Sequence, residues 1–152
     1  MKKLLCIMLC LCTVLSGCGE QKEVKQDEPQ KTEMNNLEST IKTDVADFCS
    51  DIELFMACFN SYLASPDEQM KDDGDQFIKK AKEIYEGKIE KSNYDSARIN
   101  DIKYSSYTII SQSEQMWNNL KEGKIDINNY EFITENTNLI NQECEKLKGY
   151  LE

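Results

Sequence analysis

Apolar residues recur at alternating steps of three and four through Ile41, Val45, Phe48, Ile52, Phe55, Phe59 and Tyr62. A run of this kind, at a mean spacing of about 3.5 residues, fits one face of an α-helix; strand side chains alternate every second residue. The pattern predicts a helix from about Asn36 to Ala64. Cys49, Met56 and Leu63 widen the stripe on one side. A stripe that wide needs the interior of a bundle rather than a single partner helix.

Three more segments repeat the signal. Ser65-Pro66-Asp67-Glu68 reads as a helix start, with Ser65 as cap, Pro66 at the first helical position and Glu68 closing a capping box. The second helix should run to about Glu86, with Phe77, Ile78, Ala81, Ile84 and Tyr85 inward, Gly74 weakening its first turns and Gly87 as C-terminal cap. After a turn at 91–95, the third carries Ile99, Ile102, Ser106, Ile109, Ser113, Met116 and Leu120, and Gly123 ends it. The fourth should begin near Asp126 with Tyr130, Ile133, Thr137, Ile140, Cys144, Leu147 and Leu151 inward. No β-type alternation or hairpin signal competes. The expected fold is all-α, an antiparallel four-helix bundle in up-down-up-down order over 36–152.

The first 35 residues are of another kind. Met1-Lys2-Lys3 is a short cationic start, and Leu4 to Leu15 is an uncharged apolar run. At about a dozen residues it falls short of the roughly 20 that span a bilayer, so it reads as a secretory signal. It ends in Leu15-Ser16-Gly17-Cys18, which resembles the lipobox of bacterial lipoproteins at every position. The resemblance covers residues 1–18 only. It implies a signal peptide over 1–17, cleavage before Cys18, and lipidation of the Cys18 thiol. Two acyl chains give stable anchoring where one is marginal. Residues 18–35 are almost free of apolar side chains and read as a flexible tether spanning roughly 20–25 Å. The expected address is the extracytoplasmic face of the cell membrane, held by lipid.

Charge narrows the function classes. Removing Lys2 and Lys3 leaves 16 basic against 28 acidic residues, a net charge of −12. Nucleic acid is a poor partner for such a surface, because its phosphates need Lys and Arg. There is no histidine and a single arginine, Arg98. Histidine-based triads, and the Glu-x-x-His motif of di-iron bundles, are thereby excluded. Asp72, Asp73 and Asp75 lack the spacing of a calcium loop and read as a solvated helix face. No catalytic residue, metal site or cofactor is expected.

Three cysteines remain in the mature domain: Cys49, Cys58 and Cys144. Setting Asn36 opposite Glu152 places Cys144 opposite position 44. Cys49 is then about five residues away, roughly 7 Å along the axis, and Cys58 about 14 residues, roughly 21 Å. A small slide in register permits a Cys49–Cys144 disulfide, worth about 4–5 kcal/mol in chain entropy; none permits Cys58–Cys144. Ser106, Ser113 and Thr137 fall at inward positions and could line a polar pocket for a small ligand. Tyr107 and Trp117 lie near one side of the third helix and, if exposed together, would mark a partner site. The leading expectation is a membrane-tethered module that binds another envelope or extracellular protein. The alternative is a small-ligand binder using the polar layer.

Overall fold

The computed structural model describes residues 28–92 and 97–152, with side-chain surroundings from Glu38 onward. The lipobox, Cys18 and the start of the tether lie outside the described residues. The chain divides between Thr32 and Glu33; the described part of the first unit, Glu28–Thr32, is helical, and the packing below concerns Glu33–Glu152. The described elements are α1 (Glu28–Ala64), α2 (Glu68–Ile84) continued by a π-helical turn (Tyr85–Ile89), α3 (Ala97–Lys121) and α4 (Tyr130–Gly149). No strand occurs among the described residues, and the fold is all-α. No helix among them is long and apolar enough to cross a membrane.

Side-chain ties between helices give the arrangement. Lys88 Nζ donates to Asp44 at 2.7 Å across the α1/α2 seam. Lys82 donates to Glu114 at 2.7 Å, and Lys121 to Asp75 at 2.5 Å, across α2/α3. Ser105 Oγ donates to Glu143 at 2.6 Å, and Arg98 to the Tyr150 carbonyl at 2.5 Å, across α3/α4. Lys42 donates to the Leu151 carbonyl at 3.3 Å, and Lys148 pairs with Glu53 at 2.8 Å, across α4/α1. At each seam described by two ties, numbers rise on one helix as they fall on the other, so these neighbours run antiparallel.

The core follows the periodic stripes. Ile41, Val45, Phe48, Ile52, Phe55 and Phe59 of α1 are all buried, with Cys49 and Met56 beside them. The whole α3 stripe from Ile99 to Leu120 is buried, Ser106 and Ser113 included. On α4, Ile140, Cys144 and Leu147 are buried. Full burial of one such large apolar side chain is worth about 1.5–3 kcal/mol, which is why these stripes fix the fold class. Tyr130 departs from its expected inward place and is exposed, because α4 begins there, at the outer tip beyond the last core layer.

Helix ends differ from expectation for local chemical reasons. α1 starts at Glu28, so part of the expected tether is helical; Pro29, one residue in, suits a first turn. The cap of α2 is Asp67 rather than Ser65: its carboxylate accepts from the Gln69 and Met70 amides at 2.9 and 3.2 Å. Gly87 is not a cap but sits inside the π-turn, closed by Glu90 N–H to Tyr85 C=O at 2.8 Å. The wider turn drives Ile89 wholly into the core and lets Lys88 reach Asp44. α3 ends at Lys121, and Gly123 caps it as expected: its φ of 66° allows its amide to bond Leu120 and that of Lys124 to bond Asn119, a Schellman cap. α4 begins at Tyr130 rather than near Asp126. There Asp126 and Asn129 side chains accept from the Asn128 and Asp126 amides, holding a turn instead.

Candidate functional site

α3 presents two faces with different chemistry. Its outer face exposes Tyr104 (69%) and Tyr107 (57%), one turn apart. Tyr85 of the π-turn packs beside Tyr107 with ring centroids 6.3 Å apart. The Tyr85 hydroxyl donates to Glu90 at 2.9 Å; burial, then that bond and the charge of Glu90, push it up to about 12. Tyr107 and the partly buried Tyr85 therefore pack together at the junction of α3 and the π-turn, with Tyr104 exposed one turn along α3.

Trp117 does not join them. It is 1% exposed and belongs to the core, which corrects the expected pairing with Tyr107. Its indole meets Phe55 edge-on at 5.7 Å and Tyr62 at 5.4 Å, and its N–H donates to Asp75 at 2.7 Å. Gly74 makes room: a Cβ at that position would lie 2.6 Å from Trp117 Cζ2. Gly74 and Asp75 of α2 are thus the seat of the indole, and Asp75 is not part of a merely solvated acidic face. Burial tends to raise the Asp75 carboxyl, but hydrogen bonds from Lys121 and Trp117 outweigh it and hold the group below its ordinary value.

The inner face of α3 carries the polar layer. Ser106 and Ser113 are fully buried, and their hydroxyls and that of Thr137 have no hydrogen-bond partner among the described residues. Ser106 and Ser113 are seven residues apart, about 10 Å along the axis, so they occupy two levels rather than one. Next to Ser106, Ser105 reaches Glu143, a buried carboxylate that Lys146 also bonds. Burial tends to raise Glu143, and those two bonds together hold it below its ordinary value.

The four described clefts lie elsewhere; Ser106, Ser113 and Thr137 line none of them. One, of about 170 Å³, has an isoleucine floor of Ile41, Ile99 and Ile102 beneath Arg98 and Tyr150. Arg98 sits 5.4 Å from the Tyr150 ring and 3.9 Å from Glu38, so its charge is engaged at the rim. Another, of about 340 Å³, runs between α1 and α4 over Ile52, Met56 and Cys144. Among the described residues no group of three or more His, Cys, Asp or Glu could hold a metal ion.

Cys49, Cys58 and Cys144 stand as buried thiols. Cys49 on α1 and Cys144 on α4 both lie in the buried core. α4 stops at Gly149 and Lys42 of α1 reaches the Leu151 carbonyl, so Asn36 and Glu152 are not opposed.

Aromatic exposure on α3 was half legible in the sequence: Tyr107 stood out, Tyr104 did not, although both carry the same signal of a tyrosine off the apolar stripe. The buried carboxylates Asp44 and Glu143 left no sequence signal distinguishing them from the other acids. No protein-family model, curated protein or solved structure matches the chain.

Proposed function

We propose that the chain is a lipid-anchored module at the extracytoplasmic face of the cell membrane that docks an envelope or extracellular protein through the outer face of α3. The observation that supports this reading is the Tyr104/Tyr107 pair, both rings more than half exposed, with Tyr85 alongside. Tyrosine supplies large contact area with little rotamer entropy to lose, and it is enriched at interface hot spots. The acid excess of the chain favours a partner with a cationic rim around an apolar centre. The address rests on the Leu15-Ser16-Gly17-Cys18 motif.

Surface cross-linking on intact source cells, followed by capture and mass spectrometry, tests the proposal. A dominant protein partner is expected, and it should be lost from Tyr104→Ala/Tyr107→Ala chains of unchanged Tm. The same partner captured equally by that variant, or none above background, refutes the docking face.

A second reading is favoured by one observation, the three buried, unpartnered hydroxyls of Ser106, Ser113 and Thr137. They suit a small polar ligand entering the bundle core. A thermal-shift screen against small polar metabolites tests it: a hit must lose its effect in Ser113→Ala/Thr137→Val, and the absence of any hit removes the reading.

A further inference from the structure

Apart from the docking face and the polar core layer, the cleft of about 170 Å³ carries chemistry of its own. Its floor is apolar: Ile41 of α1 and Ile99 and Ile102 of α3 belong to the buried core. Its rim is charged, and against the sign of the chain. The sequence holds 28 acidic residues and 18 basic ones, yet two cations, Lys42 and Arg98, line this cleft with one carboxylate, Glu38. Arg98 is the single arginine of the sequence. Asp101 meets the Tyr150 hydroxyl at 3.5 Å but does not line the cleft.

We propose that this cleft binds a small amphipathic carboxylate, with an apolar group the size of a benzene ring on the isoleucine floor and its carboxylate held at the rim by Arg98 and Lys42. Volume sets the apolar part. A cavity of about 150 Å³ lined by apolar side chains accepts benzene, and this cleft is slightly larger. A long acyl chain would outrun it. The rim sets the polar part. Arg98 gives one N–H to the Tyr150 carbonyl at 2.5 Å, and Lys42 gives one to the Leu151 carbonyl at 3.3 Å. A guanidinium has five N–H donors and an ammonium three, so among the described residues both cations keep donors for a ligand. The planar fork of arginine matches the two oxygens of a carboxylate.

Glu38 is the competitor already in place. It lies 3.9 Å from Arg98, and both side chains are 47% exposed. That separation is longer than a hydrogen bond, and exposed pairs of this kind contribute little. An incoming carboxylate therefore displaces Glu38 at small cost. The Tyr150 ring, 5.4 Å from the guanidinium, helps to hold Arg98 at the rim. The two rim charges thus act with opposite sign on an anionic ligand: loss of the Glu38 charge strengthens binding, and loss of the Arg98 charge weakens it.

The test is an NMR titration of the full-length chain in nanodiscs of zwitterionic lipid, because detergent would compete for an apolar cleft. The isoleucine δ-methyls carry the label, and the probe is sodium phenylacetate. Its ring should shift the methyls of Ile41, Ile99 and Ile102 saturably, while that of Ile140, in the core on α4, stays in place. A ligand of about ten heavy atoms at ordinary efficiency binds at the low-millimolar level, so the titration extends there. Phenylacetamide, equal in shape and uncharged, should bind roughly fivefold more weakly; Glu38→Gln should tighten phenylacetate roughly twofold or more, and Arg98→Gln should weaken it roughly fivefold. The absence of a saturable shift at the three methyls overturns the site. Equal binding of acid and amide, or no gain in Glu38→Gln, overturns the anionic ligand. Arg98→Gln also deletes the bond to the Tyr150 carbonyl. Glu38→Gln leaves that bond in place, so the test stands even if Arg98→Gln fails to fold.

Discussion

Replacing Gly74 with alanine sets two effects of known sign against each other. On helix propensity alone, alanine in the body of α2 should stabilise by about 1 kcal/mol. The new methyl, however, would lie 2.6 Å from Cζ2 and 2.9 Å from Cη2 of Trp117, closer than packed atoms approach. The indole cannot step aside cheaply: Phe55, Phe59 and Tyr62 surround it, and Asp75 holds its N–H at 2.7 Å. Overpacking of this kind costs about 1–3 kcal/mol, and more where a hydrogen bond is lost as the ring shifts. The packing cost wins, and a net loss of about 1–2 kcal/mol is expected, a Tm drop of roughly 4–8 °C for a domain of this size. Thermal melts followed by circular dichroism measure it, and the tryptophan emission should shift red as the indole leaves Asp75. Trp117→Phe removes the atoms that collide. In that background Gly74→Ala should therefore raise Tm, reversing sign in a double-mutant cycle. Gly87→Ala serves as control, with nothing within 4 Å of its added Cβ and no loss of stability expected. A rise in Tm for Gly74→Ala in the native background, or an equal change in both backgrounds, refutes the view that Trp117 packing dictates glycine at 74.

Other expectations are as direct. Asp75 and Glu143 have folded values below their ordinary 3.8 and 4.5, so their stabilisation is present above those values and lost as pH falls through the folded ones. Stability should decline on acidification below about pH 4.5, and Glu143→Gln should flatten part of that slope in urea titrations; an unchanged slope would exclude Glu143. Asp67→Ala removes the side-chain acceptor of two α2 amides and should cost about 1 kcal/mol by chemical denaturation. Ser106→Ala deletes an unpartnered buried hydroxyl and should be neutral or stabilising by up to about 1 kcal/mol; a loss above about 1 kcal/mol would mean that the hydroxyl is satisfied in solution. Cys18→Ala should abolish incorporation of labelled palmitate and release the protein from the membrane fraction, and retention there would contradict the lipid anchor.

The fold was legible because apolar periodicity is a property of each helix separately. The α1 stripe from Ile41 to Phe59 and the α3 stripe from Ile99 to Leu120 are buried at the positions their spacing gives. Helix ends were less legible because several residues competed for one role. Ser65 and Asp67 are both good caps, and only Asp67 lies two and three residues before the free amides of Gln69 and Met70. Gly87 resembled a stop signal, but the burial of Ile89 and the reach of Lys88 to Asp44 continue the chain as a π-turn. The site was legible only by halves. Spacing put Ser106, Ser113 and Cys144 at inward positions, where they are buried, because the α-helical repeat sets the face each occupies. The place of Trp117 was not legible, because it depends on a gap left by Gly74 on another helix.

The polar ties explain why this bundle has one register when its stripes alone would permit several. Apolar residues spaced by about 3.5 tolerate a slide of a heptad, since each knob meets an equivalent hole. A slide at α3/α4 would strip Ser105 from Glu143 and leave a buried carboxylate without this partner; one at α1/α2 would part Asp44 from Lys88. Separating a buried charge from its partner costs several kcal/mol, far more than the intact tie contributes to stability, so such ties select a register rather than strengthen it. At α2/α3 a slide would take Asp75 from the buried Trp117 N–H, although the Asp75 carboxylate itself is about half exposed. The α4/α1 seam differs. Its Glu53–Lys148 pair is half exposed on both sides and discriminates weakly.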